Sequence, residues 1–162
     1  MFGKLEHELE MHVPASEVWD LFGTLRIGQF VEQEMTELFQ KVELIEGDGG
    51  VGTVLKLTFA PGIPGPTSYK EKFTKIDNEK RIKEVEVVEG GYLEHGFTLY
   101  RVTFHVIEKG EDSSALKSTI EYEVKEEDAA NASLVSIEPV ANIAQLAKNY
   151  FSRNKAAKEA KQ

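Results

Sequence analysis

Residues Ser68-Tyr69-Lys70-Glu71-Lys72-Phe73-Thr74-Lys75-Ile76-Asp77, the turn Asn78-Glu79-Lys80, and Arg81-Ile82-Lys83-Glu84-Val85-Glu86-Val87-Val88 decide the architecture. Two runs with period-two alternation meet at a short polar turn, the pattern of an antiparallel hairpin with one face against an apolar interior. In the first run Ser68, Lys70, Lys72 and Thr74 share one face, and Tyr69, Glu71 and Phe73 share the other. Placing both aromatic rings inside carries Glu71 inside with them. In the second run Glu84 and Glu86 face outward, so Lys83 turns inward with Val85 and Val87.

The interior therefore receives one carboxyl and one amine from neighbouring strands. Burying a lone charge is expensive, so the two must be paired, hydrated in a cavity or shifted in pKa. Desolvation loosens the proton on a lysine and tightens it on a glutamate, which favours proton transfer near neutral pH. Tyr69 adds a hydroxyl that donates or accepts beside them. Two other readings stay open: an ordinary buried or rim salt bridge, and a one-residue register slip that turns both charges outward.

Outward from the hairpin, the chain before it reads as one strand, two short helices and further strands. Leu5, His7, Leu9, Met11 and Val13 alternate with charged residues, and Pro14 ends that strand. Ser16 is placed to cap a short helix through Phe22, with Trp19 on its apolar side. A second helix is expected over 25–36, its face formed by Ile27, Phe30, Val31 and Met35. Strands follow from Phe39 and over 53–59, separated by Gly47-Asp48-Gly49-Gly50-Val51-Gly52; a stiff Pro/Gly loop spans 61–66. Beyond the hairpin, strands are expected over 97–107 and 116–124 with a turn at 109–112.

The last third changes to helical spacing over 126–158, with Ile143, Leu146, Ala147, Tyr150 and Phe151 on one stripe. Pro139 predicts a kink or break there, and the polar tail 154–162 is expected to fray. The order predicts an α+β helix-grip fold: a curved, seven-stranded antiparallel sheet and two short helices around one long C-terminal helix, enclosing a cavity. One domain over 1–162 accommodates all of it.

The formal net charge of -9 argues against nucleic acid or an anionic membrane as partner. The absence of cysteine excludes disulfides and thiolate chemistry. No apolar run suits a signal peptide or a membrane span, so a cytoplasmic protein is expected. His7, His12, His95 and His105 lack metal-ligand spacing, and neither a metal nor an organic cofactor is expected. His7 falls on an apolar face, where it either lines the cavity or forms a hydrogen-bonded core residue. The glycine run 47–52 lacks the Gly-Lys-Ser/Thr ending of a nucleotide loop and is read as a tight hairpin.

That glycine run with Thr53 resembles the glycine-rich loop of the Bet v I plant family. The run Tyr69 to Phe73, the segments Ile76 to Lys83 and Glu89-Gly90-Gly91-Tyr92-Leu93, and Lys117 to Val124 resemble its norcoclaurine synthase branch. The start Met1 to Glu10, Thr24-Leu25-Arg26, Gly62-Ile63-Pro64-Gly65 and 126–133 are similar to norbelladine synthases. The resemblance spans nearly the whole chain. It implies condensation of an arylethylamine with an aromatic aldehyde through an imine, with or without Pictet–Spengler cyclisation.

By position, the resemblance assigns catalytic roles to Lys83, Glu71 and Tyr69. It puts Val102 where the norcoclaurine branch has an aspartate, so that role is vacant, and Ser68 where norbelladine synthases have a tyrosine. Phe73, Val102, Leu57, Phe59 and Ile143 are the expected walls of the substrate site. The expected partners are a small aromatic amine and aldehyde, or another hydrophobic small molecule, taken up by a monomer or weak homodimer. The alternative is a non-catalytic carrier of a phytohormone or flavonoid.

Overall fold

Period-two alternation at the N-terminus forms β1 (Phe2–Met11), and Pro14 turns the chain into α1 (Ala15–Phe22) and α2 (Arg26–Glu34). Then follow β2 (Phe39–Glu46), β3 (Val54–Phe59), β4 (Ser68–Asp77), β5 (Ile82–Gly90), β6 (Phe97–Gly110), β7 (Ser113–Val124) and α3 (Glu138–Ala160). Short 3-10 segments occupy Gly91–His95 and Glu126–Leu134. The computed structural model describes residues 1–161.

All seven strands form one antiparallel sheet in the order β1-β7-β6-β5-β4-β3-β2. Sequence neighbours β1 and β2 thus lie at opposite edges, and α1 and α2 bridge them. The sheet curls around α3, as the order of elements predicts. Trp19, Phe22, Phe30, Val31, Leu116, Ile120, Ala144 and Phe151 belong to one buried cluster beneath α3. Among the described residues no helix is long and apolar enough to cross a membrane.

Several local expectations are corrected. The strand expected at 5–13 starts at Phe2 and stops at Met11, because the Met1 ammonium donates to the Val124 carbonyl at 2.7 Å and extends the pairing with β7. Ser16 does not cap α1. The Pro14 carbonyl accepts the Glu17 N–H at 3.1 Å, placing Ser16 inside the first turn. The β6–β7 hairpin is tighter than a 109–112 turn, with strand resuming at Ser113.

The helix expected over 126–158 divides ahead of Pro139. Residues 126–134 bury nothing, so no apolar stripe holds them as an α-helix, and they form 3-10 turns. The α-helix begins at Glu138, with proline in its first turn, where a missing N–H is harmless. The Ser136 hydroxyl accepts the Glu138 N–H at 3.1 Å. The tail expected to fray continues α3 to Ala160, since its alanines, lysines and glutamate are good helix formers, and Lys158 lies 3.8 Å from Glu17 of α1.

Candidate active site

The hairpin of β4 and β5 sets the site. Glu71 pairs with Val87, Phe73 with Val85, and Ile76 with Lys83, all on the concave face. Two bulges sustain this register. Val88 is the extra residue between the pairs Lys70–Glu89 and Glu71–Val87, and Thr74 between Phe73–Val85 and Lys75–Glu84. The register slip that would expose both charges therefore does not occur. Lys70 faces outward and pairs with Glu89 at 2.9 Å.

Lys83 is fully buried, at 0% exposure. Its ammonium lies 3.6 Å from the Phe73 ring centroid and donates to the Thr24 carbonyl at 3.3 Å. An aromatic face and a carbonyl dipole thus stabilise the cation where a carboxylate would be expected. No ion pair joins Lys83 to Glu71 among the described residues, so the ordinary salt bridge does not account for them.

Each charge remains close enough to sense the other. Burial pushes the Glu71 carboxyl up to about 7, and the positive Lys83 offsets only part of this. Burial pulls the Lys83 amine down to about 8 against the opposing pull of Glu71. The two proton affinities therefore lie close together near neutrality. Burial, followed by the charge of Glu71, raises the Tyr69 hydroxyl well above its ordinary value.

These groups line an inner chamber of about 130 Å³. Leu57, Phe73, Val102 and Ile143 belong to its wall, with Ile27 and Val31 of α2 and Val140 of α3. Phe59 does not. It lies in an outer chamber of about 310 Å³ with Ile63, Pro64, Tyr92, His95 and Leu134. The reason is the curl of the sheet: Leu57 pairs with Tyr69 deep in β3, whereas Phe59 at the strand end stacks on Phe39, centroids 5.6 Å apart. Tyr69, Phe39 and Tyr100 border both chambers. A larger groove of about 430 Å³ between α1 and α3 is lined by His12, Glu17, Asp20, Arg26 and Lys158. Its walls are mostly solvated charges and it holds neither Glu71 nor Lys83.

Among the described residues that line the inner and outer chambers, His7 is absent from both. Its Nδ1 is buried without a partner, as is the Oγ of Ser118, its cross-strand neighbour, so it is not the hydrogen-bonded core histidine expected. Gly47 and Gly49 hold positive φ at the β2–β3 turn, and the Gly49 N–H donates to the Thr53 hydroxyl at 2.8 Å, which makes this run a structural hairpin. Among the described residues no three His, Asp or Glu side chains converge on a possible metal position.

Two tyrosines escaped the sequence reading. Tyr100 shares the inward face of β6 with Val102, two positions away, and that parity was its available signal. Tyr92 stacks on it, with centroids 4.3 Å apart and planes at 16°. The Thr24 carbonyl had no signal, because a backbone group at a helix junction has no side-chain identity to read.

The chain is similar to known proteins in both sequence and fold. The chain is 51% identical to norbelladine synthase of Narcissus pseudonarcissus over 139 residues, covering 86% of this chain and 85% of that enzyme. It is 40% identical to S-norcoclaurine synthase 2 of Papaver somniferum over 154 residues, which are 94% of this chain and 66% of that enzyme. The fold superposes with a TM-score of 0.84 on the Thalictrum flavum norcoclaurine synthase structure in complex with dopamine and hydroxybenzaldehyde, at 38% identity, covering 94% of this chain and 88% of that one. The model of the pathogenesis-related protein Bet v 1 family matches residues 1–151, and the chain belongs to that family.

Proposed function

We propose that this chain is a condensing enzyme that joins an arylethylamine, tyramine or dopamine, to an aromatic aldehyde through an imine. The observation that carries this reading is an unpaired carboxyl and amine in one apolar chamber, with proton affinities drawn together to about 7 and about 8. Relatedness to a norbelladine synthase, and to a norcoclaurine synthase seen with dopamine and hydroxybenzaldehyde, supports it.

The chemistry follows from the arrangement. Holding both reactants in one water-poor chamber replaces a bimolecular encounter. The amine lone pair attacks the carbonyl carbon, and Glu71 takes the proton that the nitrogen must shed. Lys83, as the ammonium, protonates the oxygen, regains a proton from Glu71 and protonates it a second time, and the oxygen leaves as water and yields the iminium. Loss of the remaining N–H proton to Glu71 gives the neutral imine. Tyr69 orients the phenol or catechol. Val102 offers no second carboxyl, so we assign the uncyclised imine as the principal product. Both chambers are complete within one chain, so a monomer suffices.

The test is mass spectrometry of the purified protein with tyramine and 3,4-dihydroxybenzaldehyde, and with dopamine and 4-hydroxyphenylacetaldehyde. Borohydride traps the imine as a secondary amine. Product above background that disappears with Lys83→Ala and Glu71→Ala is the expected result. Background rates for every pair, with saturable binding of a flavonoid or cytokinin, would establish the carrier instead.

A further inference from the structure

The inner chamber exposes four polar side chains: Tyr69, Glu71, Lys83 and Tyr100. Three have a place in the proposed reaction, and Tyr100 has none. The reaction nevertheless lacks one component. When the amine attacks, the π pair of the carbonyl moves onto oxygen, and that developing charge requires a donor already in place. Lys83, held against the Phe73 ring and the Thr24 carbonyl, transfers its proton only once the oxygen carries charge, and Glu71 is occupied with the nitrogen. Position 102, where an acid would have stood, is aliphatic.

Tyr100 lies two residues from Val102 on the same face of β6 and borders both chambers, at the neck where an aldehyde meets an amine held deeper inside. Tyr92 fixes it. The rings are stacked, with centroids 4.3 Å apart, and Tyr92 is braced edge-on by Phe97 at 5.2 Å. The Tyr92 hydroxyl donates to the Leu134 carbonyl at 3.4 Å, which holds its side of the stack.

We propose that Tyr100, backed by Tyr92, donates a hydrogen bond to the aldehyde oxygen as the amine adds. The donor keeps its proton. The oxygen receives its protons in turn from Lys83, the nitrogen loses its own to Glu71, Glu71 passes each on to Lys83, and water departs. Burial raises the Tyr100 hydroxyl far above the ordinary phenol range, so it stays protonated wherever Glu71 and Lys83 operate. The kinetic part of this proposal rests on the condensing function; the contact with the carbonyl does not.

The experiment uses infrared difference spectroscopy of carbonyl-labelled 4-hydroxybenzaldehyde bound to the full chain, without amine. Hydrogen bonding lowers the carbonyl stretch. The shift is expected in the wild type and in Tyr92→Phe, whose ring keeps the stack, and is lost in Tyr100→Phe. With tyramine added, Tyr100→Phe should lower kcat on the order of 10²-fold while leaving the KM for the amine unchanged. The loss should shrink for electron-poor aldehydes such as 4-nitrobenzaldehyde, which need less activation; a merely structural role would affect all aldehydes alike. A carbonyl band identical in wild type and Tyr100→Phe, or an equal loss for every aldehyde, overturns the proposal. Should no aldehyde turn over with any amine, the condensing reading falls, and the carbonyl band still decides for or against Tyr100.

Discussion

Lys83 and Glu71 carry opposite charges in one apolar chamber without touching, and that separation governs both catalysis and stability. A base that works above about 7 and an acid that works below about 8 give a narrow bell for kcat/KM: the rate rises through the first value and falls through the second. A pH profile with limbs more than two units outside this range would refute the assignment. For stability the signs are opposite. The folded chain holds the Glu71 proton more tightly than the unfolded chain (about 7 against 4.5), so rising pH weakens the fold across that interval. It holds the Lys83 proton less tightly (about 8 against 10.5), so rising pH strengthens the fold across that one. The two together place a local stability minimum near pH 7–8, costing on the order of 3 kcal/mol for each group. Lys83→Met should accordingly lower turnover about 10²- to 10⁴-fold while raising urea stability at pH 7.5 by about 1–4 kcal/mol. A variant that is both inactive and less stable would mean that Lys83 is a structural residue. Parity alone put both side chains inside, and the sequence reading could go no further. The Phe73 ring over the amine and the Thr24 carbonyl depend on how α1 and α2 settle against the hairpin.

At the scale of elements, the site depends on irregularities that alternation does not announce. Period two predicted which residues of β4 and β5 face inward, but not the bulges at Thr74 and Val88 that let both strands keep that facing along their length. Gly90 follows the second bulge at φ +73, opposite Tyr69. A β-carbon there would stand 2.5 Å from the Ser68 carbonyl oxygen and 3.2 Å from the Tyr69 Cα, where backbone cannot yield. Gly52 has a similar positive φ, +96, with open space around it. Gly52→Ala should therefore cost only the backbone penalty, about 1–2 kcal/mol. Gly90→Ala should cost more, roughly 3 kcal/mol or above, and should also lower kcat by displacing Tyr69. Equal losses in urea titrations of the two variants would show that the close approach at Ser68 does not matter. The C-terminal third teaches the same lesson. Helical spacing and Pro139 were legible, but propensity could not reveal that 126–134 finds nothing to pack against.

Over the whole molecule, one curved sheet whose sequence-adjacent edge strands are bridged by α1 and α2 leaves room for two chambers in series, joined at Tyr69 and Tyr100. The order of elements predicted the enclosure; its division did not follow from sequence, because Phe39, Tyr69 and Tyr100 come from three strands and meet only after the sheet curls. The division assigns the reactants. The acid and base lie in the inner chamber of about 130 Å³, whose far wall includes Ile143 of α3, so on the proposed function the amine is expected to enter first and sit deepest. The aldehyde follows and leaves its ring in the outer chamber of about 310 Å³, against Phe59 and Pro64. Ile143 touches only the inner space and Phe59 only the outer, so substitutions there should separate the two substrates. Ile143→Phe should raise the KM for the amine roughly tenfold or more, since a filled hydrophobic pocket discriminates on that scale, with the KM for the aldehyde little changed. Phe59→Ala should do the reverse, most visibly for ring-substituted aldehydes that rely on the outer walls. Steady-state titration of each substrate at saturating levels of the other measures both constants. If Ile143→Phe raised the aldehyde constant and spared the amine, the order of entry would be inverted. The carbonyl would then lie beneath the amine, beyond the reach of a donor placed at the neck.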